Sequence, residues 1–562
     1  MDAPGCAIDA LHGKLMMDAR QKSGSVSTLP VHELLADAVA RFPGIMAMDF
    51  LGKRTSYAEL GRLVERAAAG FQRLGVEKGA RVALCLPNTP YYVICYYGIL
   101  RAGGVVVNLS PLYVENEIRH FLKDSGARIA VTLDVKELYD KFVPIVADGA
   151  LDHLIVGSML EILDPVKRVG FWLTRRKILA VVPVDSRYVR FSALVAPGAS
   201  PRPVPCEAVK DLAVLQYTGG TTGIPKAAML SHANLTANCA QVVRRLPEIT
   251  PGGGMLTLVP LFHVFAMTVA MNLSVMLGLE MILLPRYDKT LLRKTLARTK
   301  PLFFPGVPTI YANINEAAAK EIWELSSIRY CVSGAAPLPA EIRTRFEQIT
   351  GCQLVEGYGL SEASPVVACN LFGGVRDGSI GLPVDDTVVE IRALDEPSRI
   401  VPQGELGEVC VRGPQVMLGY WNRPDETAKV FVDGALRTGD VGYQDQDGYI
   451  FLVDRIKDLI ISGGYNVYPR MVEEAFYKHP AVLEVVVIGI PDAKRGQVPK
   501  AYVKLHEGMQ MTEEALQSFL ADYLSPVERP KKIEFRDVLP KTVVGKLSRK
   551  ELVAEEQAKQ DT

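Results

Sequence analysis

The sequence has few cysteines, and they form no pattern that binds a metal or builds a disulfide framework. Nine cysteines are scattered from Cys6 to Cys410, without a CxxC pair or a Cys/His cluster at metal-ligand spacing. This distribution argues against structural zinc and favours a reducing compartment. The amino-terminal stretch has Asp2, Asp9 and Lys14 where a secretory signal would have a basic region and then a continuous apolar one, so we do not expect export.

The sequence also lacks an excess of charge of either sign. Lys plus Arg and Asp plus Glu both number 63, so no global field attracts nucleic acid or another polyanion. We therefore expect no nucleic-acid partner, and any affinity for phosphate must be local. With 562 residues, of which 48% are hydrophobic, the chain can bury a large core and form several domains.

One apolar stretch, residues 255–279, is long enough to span a bilayer and contains no formally charged residue. Pro260, His263 and Asn272 interrupt it. The order PLFH and then FAMTVAMNLSVMLGL predicts a strand end, a turn and an apolar helix. We interpret this stretch as the buried core of an α/β domain and not as a membrane span.

The order of strand-like and helical patterns predicts an α/β fold. Apolar runs such as RVALCLP and RIAVTL alternate with helical patterns such as YAELGRLVERAAAGFQRLG in the first third, which indicates a parallel sheet with helices on its faces. The alternation recurs from Leu212 to about Pro365, so we expect two α/β subdomains. Residues 379–449 have short strands between glycine and proline turns, as in a small antiparallel sheet or barrel. A compact unit of mixed helices and strands follows.

The segment YTGGTTGIPK, from Tyr217 to Lys226, is the most informative one. Glycines let the backbone approach phosphate oxygens closely, threonine hydroxyls donate hydrogen bonds, and Lys226 adds a mobile positive charge. The strand-like run LAVLQ precedes it, and a helical pattern with Ser231 as N-cap follows, which favours an anion site over a flexible surface turn. Pro225 stands where a Walker A loop requires glycine, so this is not an ordinary P-loop NTPase.

This loop and five later motifs resemble the signatures of the adenylate-forming superfamily, which includes acyl-CoA synthetases, luciferases and nonribosomal adenylation domains. The later motifs are SGAAPL at 333–338, GYGLSEAS at 357–364, LRTGD at 436–440, DRIKDLIISGGYNVYP at 454–469 and LPKTVVGKLSRKEL at 539–552. The resemblance extends from TSYAEL near residue 55 to Lys550. The segments PLFHVFAMT and GGYNVYPR are most similar to those of bacterial long-chain fatty acid-CoA ligases.

The resemblance implies two domains and a two-step reaction. Residues 1–456 would form an AMP-binding domain of two α/β subdomains plus a small β-barrel-like subdomain, and residues 457–562 a small mobile α+β domain with its hinge at Lys457. ATP, Mg²⁺ and coenzyme A are implied: a carboxylate attacks the α-phosphate, pyrophosphate leaves, and the acyl-adenylate accepts a thiol. Both steps concentrate negative charge, so positioned cations and donors should account for most of the catalysis.

The family motifs assign roles to residues at matching positions. Lys546 would bridge the substrate carboxylate and the α-phosphate, and together with Lys226 and Glu362 it forms the implied catalytic set. Glu362 and Thr222 would bind Mg²⁺, which prefers oxygen ligands. The residues implied to contact ATP or AMP are Thr218, Gly219, Gly220, Thr221, Thr222, Gly223, Lys226, Gly334, Ala335, Ala336, Pro337, Glu356, Gly357, Tyr358, Gly359, Ser361, Asp440 and Arg455. Within this set, Tyr358 would stack on adenine and Asp440 would accept hydrogen bonds from both ribose hydroxyls.

Two positions depart from the family pattern. Ser361 stands where threonine is more frequent, and Ala227 stands where glycine is usual. The hydroxyl of Ser361 survives, so we expect the phosphate contact to survive. Ala227 would stiffen the exit of the loop without removing a phosphate donor.

The resemblance also implies sites for the two other substrates. Ser462, Gly463, Gly464 and Tyr465 resemble the loop that lines the pantetheine channel after a rotation about Lys457 has removed Lys546. His263, Phe262 and Phe265 would form the wall of an apolar acyl pocket. Because each buried methylene contributes about 0.8 kcal/mol, such a pocket would select for chain length up to its closed end.

A second segment points to a fatty-acid environment. Residues 160–182 mix apolar side chains with Lys167, Arg168, Arg175, Arg176 and Lys177. Asp164 and Pro165 are a helix start, and Val166, Val169, Trp172 and Leu173 fall on one side. The segment, Leu160 to Val182, would rest on an anionic membrane or be an ordinary basic surface insertion. We expect a cytoplasmic protein, peripheral on the inner face of the membrane if this contact forms; a homodimer is left open.

Other functions remain open at this point. A medium-chain or aryl-CoA ligase has the same chemistry, and SGAAPL also resembles coumarate-type enzymes. A fatty acyl-AMP ligase would pass its product to a carrier protein. A protein of another class would bind a nucleotide or acyl group without catalysis; the intact set Lys226, Glu362, Asp440, Arg455 and Lys546 argues against this alternative.

Overall fold

The computed structural model describes residues 29–198, 200–218, 225–492, 494–542 and 547–560. The first of its four sheets has seven strands. In spatial order they are Tyr188–Arg190, His153–Gly157, Ile129–Leu133, Arg81–Leu84, Val105–Asn108, Leu212–Thr218 and Lys226–Ser231. Neighbours are parallel except for the last pair, which is antiparallel.

The second sheet has nine strands and is parallel through its centre. In spatial order they are Leu382–Pro383, Val366–Cys369, Gln353–Gly359, Tyr330–Ser333, Phe303–Gly306, Gly254–Thr257, Glu280–Leu283, Met46–Phe50 and Lys53–Ser56. The strands at both edges are antiparallel. Two mainly parallel sheets confirm the prediction of two α/β subdomains.

The largest hydrophobic cluster lies between these two sheets. It includes Val82 and Val214 of the first sheet and Met255 and Phe303 of the second. The helices that contribute to it are Val31–Arg41, Tyr57–Arg73, Pro90–Arg101, Phe191–Leu194, His232–Arg245 and the helical segments Val264–Ala266, Met267–Asn272 and Leu273–Leu277. The stretch 255–279 supplies both a strand of the second sheet and these last helical segments, and both are largely buried. No helix among the described residues is long and apolar enough to cross a membrane.

Other helices cover the outer faces of the sheets. On the first sheet these are Glu115–Ser125, Lys136–Tyr139 and Val143–Ala147. On the second they are Lys289–Thr299, Pro308–Lys320 and Ala340–Thr350. The helix Pro165–Arg175 and the turn Arg176–Ile178 differ, because neither contains a buried residue.

A small antiparallel sheet follows, as residues 379–449 predict. Its strands are Val388–Arg392, Gly407–Arg412, Ala435–Gln444, Phe431–Val432 and Ile450–Arg455, with the helix Pro424–Val430 before Phe431. Its last strand pairs with Ala435–Gln444 in a register that puts Asp440 opposite Arg455. Two residues from separate motifs therefore become neighbours through backbone pairing.

The final unit begins at the short helical turn Ile456–Asp458. Its sheet contains Tyr465–Val467, Ile460–Ser462, Gly496–Leu505, Val482–Asp492 and Lys532–Phe535, and its helices are Pro469–Tyr477, Glu513–Leu520 and Arg549–Gln560. A separate hydrophobic cluster holds most of these elements together. The α+β composition of this unit confirms the predicted fold class.

The surroundings of the glycine-rich loop differ in one respect from the prediction. Ser231 caps the helix His232–Arg245, as predicted, with its hydroxyl 3.1 Å from the backbone nitrogen of Asn234. However, the strand Lys226–Ser231 lies between the loop and this helix. The helix N-terminus is therefore one strand length away from the loop, and it does not provide the anion site that the strand, loop and helix order suggested.

Candidate functional site

A cavity of about 810 Å³ brings together residues from most of the predicted motifs. The predicted site residues that line it are Thr218, Lys226, Phe262, His263, Phe265, Gly334, Ala335, Gly357, Tyr358, Gly359, Ser361, Glu362, Arg455 and Lys457. Thr218 and Gly359 each stand at the carboxyl end of a strand, and Gly334 directly follows one. Because ligands of α/β sheets bind beyond the carboxyl ends of the strands, this placement is typical of a substrate site.

Several predicted residues do not line this cavity. They are Ala336, Pro337, Glu356, Asp440, Ser462, Gly463, Gly464 and Tyr465. Gly219, Gly220, Thr221, Thr222, Gly223 and Lys546 lie outside the described residues.

Asp440 is held directly behind the cavity wall. Its carboxylate lies 2.8 Å from Nε of Arg455 and accepts a hydrogen bond from the hydroxyl of Tyr358. The carboxylate raises the pKa of Arg455, and burial raises that of Tyr358. Asp440 is only 4% exposed, so these two partners compensate for its lost hydration. The three side chains form one fixed unit at the edge of the cavity.

Glu356 is half-buried, and its pKa is higher than that of an ordinary glutamate. Burial raises its pKa to about 7, against the opposing effect of Arg470. The backbone N–H of Leu338 donates to its Oε1 at 3.4 Å. Glu356 therefore changes charge near neutral pH directly beside the segment Ser333 to Leu338.

Lys226 takes part in a row of charged and polar side chains that sequence analysis missed. Its Nζ donates to the carboxylate of Glu426 and lies 5.3 Å from the centre of the Tyr420 ring. The Tyr420 hydroxyl in turn donates to Oε1 of Glu362 at 2.9 Å. Hydrogen bonds from Lys226 and Lys429 lower the pKa of Glu426 to about 2. Tyr420 and Glu426 lie outside the quoted motifs, so only their position in the structure identifies them as residues of the site.

The wall around His263 is mainly apolar. The backbone N–H of Phe265 donates to Nδ1 of His263 at 3.3 Å, which starts the helical run. Gly334 faces Phe265 so closely that a Cβ there would lie 3.1 Å from the ring. Further apolar lining residues include Val242, Leu246, Val264, Val269, Val332, Val355, Val366 and Phe372. In sequence these look like ordinary core positions, because an apolar side chain has the same appearance whether it faces a ligand or the core.

A buried polar network supports this wall from below. Asn108 donates to Gln216 at 3.0 Å, and Gln216 donates to the carbonyl of Phe262 at 3.1 Å. The hydroxyl oxygen of Tyr92 lies 2.8 Å from both Oδ1 of Asn108 and the carbonyl oxygen of Leu261, which share its single proton. Buried and satisfied networks of this kind hold one arrangement. The network ties two strands of the first sheet to the loop that carries Phe262 and His263.

The carboxyl-terminal unit reaches the same cavity. Thr542 lines it, and the neighbouring Lys541 pairs with Leu547 in an antiparallel bridge. The residue after Leu547 closes the same turn, since the N–H of Ser548 donates to the carbonyl of Pro540 at 2.8 Å. The two described ends of the segment that contains Lys546 are therefore held together beside the cavity.

Arg549 connects this segment to the turn Ile456–Asp458. Its guanidinium lies 2.7 Å from Glu473 and 3.1 Å from Asp458. Lys457 in the same turn lines the cavity, and burial lowers its pKa. Arg549 thus ties the start of the last helix to the turn at the beginning of the final unit.

Ser462 to Tyr465 form the turn of a hairpin on the final unit. Gly463 and Gly464 have φ values of +60° and +86°, a backbone region that favours glycine. Tyr465 is 68% exposed. In this orientation the loop stands apart from the cavity.

The residues present are compatible with a magnesium ion that binds chiefly to the substrate. Among the described residues, no three His, Cys, Asp or Glu side chains are grouped closely enough to hold a metal. Glu362 reaches the cavity with one oxygen hydrogen-bonded to Tyr420. Mg²⁺ commonly binds through one or two carboxylates together with phosphates and water, and a single carboxylate at this position fits that pattern.

Comparison with known families decides the identity of this arrangement. Residues 35–421 match the model of the AMP-binding enzyme family, and residues 471–546 match that of the AMP-binding enzyme C-terminal domain. The chain belongs to the AMP-binding enzyme family. The resemblance that the motifs carry is therefore confirmed, and so is the fold.

Individual AMP-binding enzymes match over nearly the whole chain. A long-chain-fatty-acid–CoA ligase of Bacillus subtilis is 42% identical over 94% of this chain and 94% of its own. A ligase of the same name from Escherichia coli O157:H7 is 38% identical over 94% and 95%. Among solved structures, the anthranilate CoA ligase AuaEII in complex with anthranoyl-AMP matches with a TM-score of 0.83 and 25% identity, over 95% of this chain and 98% of that one.

Proposed function

We propose that this AMP-binding enzyme is an ATP-dependent long-chain fatty acid-CoA ligase. It activates the fatty acid as an acyl-adenylate, transfers the acyl group to coenzyme A, and releases AMP and pyrophosphate. The observation that carries the proposal is the cavity itself. Its Lys226 suits a phosphate group and its Glu362 the magnesium ion that accompanies it, while its wall around Phe265 suits an alkyl chain. The names of the relatives agree with this assignment.

The residues divide the first step between them. Lys226 binds phosphate oxygens, and Lys546 bridges the carboxylate and the α-phosphate. Asp440 accepts hydrogen bonds from the ribose, with Arg455 and Tyr358 holding its carboxylate in place. Tyr358 and the segment 334–337 enclose the adenine. A magnesium ion held by Glu362 and Thr222 would neutralise part of the negative charge on the phosphates.

The second step needs another orientation of the final unit. We place the domain boundary between residues 456 and 457, with Lys457 as the hinge. The first family match ends at residue 421 and the second begins at residue 471; the gap between them contains Lys457, which supports this proposal. A rotation there exchanges Lys546 for Ser462 to Tyr465, whose paired glycines allow close approach of the pantetheine arm.

A ladder of acids tests the substrate. Purified protein is supplied with ATP, Mg²⁺ and CoA, together with straight-chain acids of graded length from acetate to stearate and with aromatic acids. We expect acid-dependent release of AMP and pyrophosphate and formation of the acyl-CoA. The value of kcat/KM should rise with chain length, because each methylene adds apolar contact. A maximum at acetate or at a short acid would contradict the long-chain assignment.

The alternatives give different results in the same assay. An aryl-CoA ligase, which the AuaEII likeness favours, would prefer the aromatic acids. An acyl-AMP ligase would require a carrier protein in place of CoA. A non-catalytic binder would show no acid-dependent exchange between pyrophosphate and ATP.

We also propose that the helix Pro165–Arg175 rests on an anionic membrane surface. Asp164 caps the helix with its carboxylate 3.0 Å from the backbone nitrogen of Lys167. The helix then presents Val166, Leu173 and Trp172, which are 81%, 65% and 46% exposed. The flanking Arg175, Arg176 and Lys177 are exposed as well. An apolar face bordered by cations binds anionic lipid interfaces, where fatty acids also partition.

A further inference from the structure

Glu426 is the carboxylate that holds two lysines of the cavity. Its side chain accepts a hydrogen bond from Nζ of Lys226 and lies 2.6 Å from Nζ of Lys429. Both lysines line the cavity. No motif of the family resemblance includes Glu426 or Lys429. The charge state of the proposed phosphate site therefore depends on a residue that has no assigned role.

Main-chain pairing delivers Glu426 to this position. The N–H of Leu418 donates to the carbonyl of Met229 at 3.0 Å, and that of Trp421 donates to the carbonyl of Ala227 at 2.9 Å. The segment 418–421 thereby extends the first sheet beyond the strand Lys226–Ser231. The helix Pro424–Val430 follows within three residues, so its first turn reaches Lys226, the first residue of that strand.

The contact between this segment and the helix is close. The N–H of Tyr420 donates to the hydroxyl of Thr427 at 2.9 Å. Gly419 has a φ of +139°, and a Cβ there would lie 2.8 Å from the methyl carbon of Thr427. Only glycine allows this approach without displacement. The backbone contacts between this segment and the helix thus fix the position of Glu426 beside Lys226.

Glu426 and an incoming triphosphate require the same donors. A lysine ammonium has three donors, and its charge binds a phosphate oxygen less strongly while a carboxylate shares it. The side chains of Lys226 and Glu426 are 17% and 28% exposed, so water partly screens their pairing and the exchange costs little. Tyr420 lies between Lys226 and Glu362, since its ring faces the ammonium and its hydroxyl donates to the carboxylate. It therefore keeps the ammonium near the proposed phosphate site.

We propose that Glu426 is a positioning residue that stands in for the triphosphate: it holds Lys226 and Lys429 at the cavity wall and releases them to phosphate oxygens when ATP binds. Lys429 is then a second phosphate-binding cation of the site. The inference rests on the proposed function only for the identity of ATP. It predicts that the carboxylate weakens ATP binding, in contrast to a residue that merely orients Lys226.

The test compares Glu426→Gln with Asp425→Asn, a neighbouring exposed carboxylate of the same helix turn. ATP binding is measured by calorimetry without acid or CoA, and KM for ATP by turnover. Because the pair is partly exposed, we expect Glu426→Gln to lower the Kd and KM for ATP about threefold, with kcat changed less than about twofold. Asp425→Asn should leave all three values as in the wild type. An unchanged or raised Kd for ATP in Glu426→Gln overturns the proposal.

Lys429→Gln provides an independent readout if Glu426→Gln does not fold. We expect it to raise the KM for ATP while the KM for the acid is unchanged. Equal effects on both substrates, or none, would remove the phosphate role of Lys429. Calorimetry keeps this inference separate from the proposed function: a protein that binds ATP but shows no acid-dependent turnover contradicts the ligase assignment alone.

Discussion

Glu356 shows how burial can change one residue of a site. The side chain lies half-buried in the middle of the strand Gln353–Gly359, next to the segment 333–338. Burial raises its pKa to about 7, whereas an exposed glutamate titrates near 4.5. Its proton is therefore bound more tightly in the folded protein than in the unfolded chain.

This difference predicts a dependence of stability on pH. Between the unfolded value and about 7, the folded state holds a proton on Glu356 that the unfolded state has lost, so its contribution to stability falls as pH rises through this window and is constant above it. Glu356→Gln removes the titration. The melting temperature of the variant minus that of the wild type should rise from pH 5 toward pH 7 and then level off. A difference that is flat over this range would contradict the raised pKa.

Ala335 is a site residue whose unusual backbone conformation is visible only in the structure. Ala335 lines the cavity with a φ of +67°, a region that residues with a Cβ rarely adopt. Such conformations occur mainly where surrounding structure holds them, often at ligand sites. The alanine itself gives no sign of this in the sequence.

The helix Pro165–Arg175 contains no buried residue, and Val166, Val169, Trp172 and Leu173 of its apolar face are exposed. Its sequence start at Asp164 and Pro165 is confirmed, and its ends are anchored, because Ile162, Leu163 and Val182 are buried. Because Val166, Val169, Trp172 and Leu173 are exposed, we expect that they can be replaced without loss of a core.

Replacing part of this apolar face should abolish binding to lipid. We expect Trp172→Ser combined with Leu173→Ser to reduce flotation with anionic vesicles strongly, and added salt to weaken the binding of the wild type. Ile322→Ser, which alters an exposed apolar residue elsewhere, is the matched control. The melting temperature should stay the same in both variants. Equal flotation of all three proteins would exclude the membrane role of the helix.

At the scale of the whole molecule, we propose that the orientation of the final unit selects which loop reaches the cavity. Thr542 lines the cavity, while Tyr465 is exposed to solvent. Arg549 joins the helix Arg549–Gln560 to Asp458 beside the proposed hinge. We assign this orientation to the first of the two proposed steps, because Thr542, a described end of the segment that contains Lys546, lines the cavity.

Removing Lys546 should therefore affect the two steps unequally. We expect Lys546→Ala to lower the rate of acid-dependent pyrophosphate exchange about a hundredfold or more, as loss of one preorganised charge often does. Thioester formation from supplied acyl-adenylate and CoA should be largely spared. Lys550→Ala, in the helix that follows, serves as the control and should leave both rates unchanged. An equal loss in both half-reactions would remove the bridging role of Lys546.

The sequence predicted the site most successfully where residues occur in dense local motifs. Lys226, Tyr358 and Glu362 were all expected, and all three line one cavity. It failed for Val242, Leu246 and Phe372, because an apolar side chain looks the same in the sequence whether it faces a substrate or the core. It also missed Glu426, whose role depends on pairing across about two hundred residues.

The sequence by itself determined the secondary-structure order, the α/β class and the motifs, because these depend on local periodicity, glycine and capping residues. Only the tertiary structure decided which carboxylate holds Lys226, how Asp440 meets Arg455, and that the strand Lys226–Ser231 separates the glycine-rich loop from its helix. These features depend on register and packing between distant segments. Backbone pairing and burial act through space, and the order of residues along the chain does not record them.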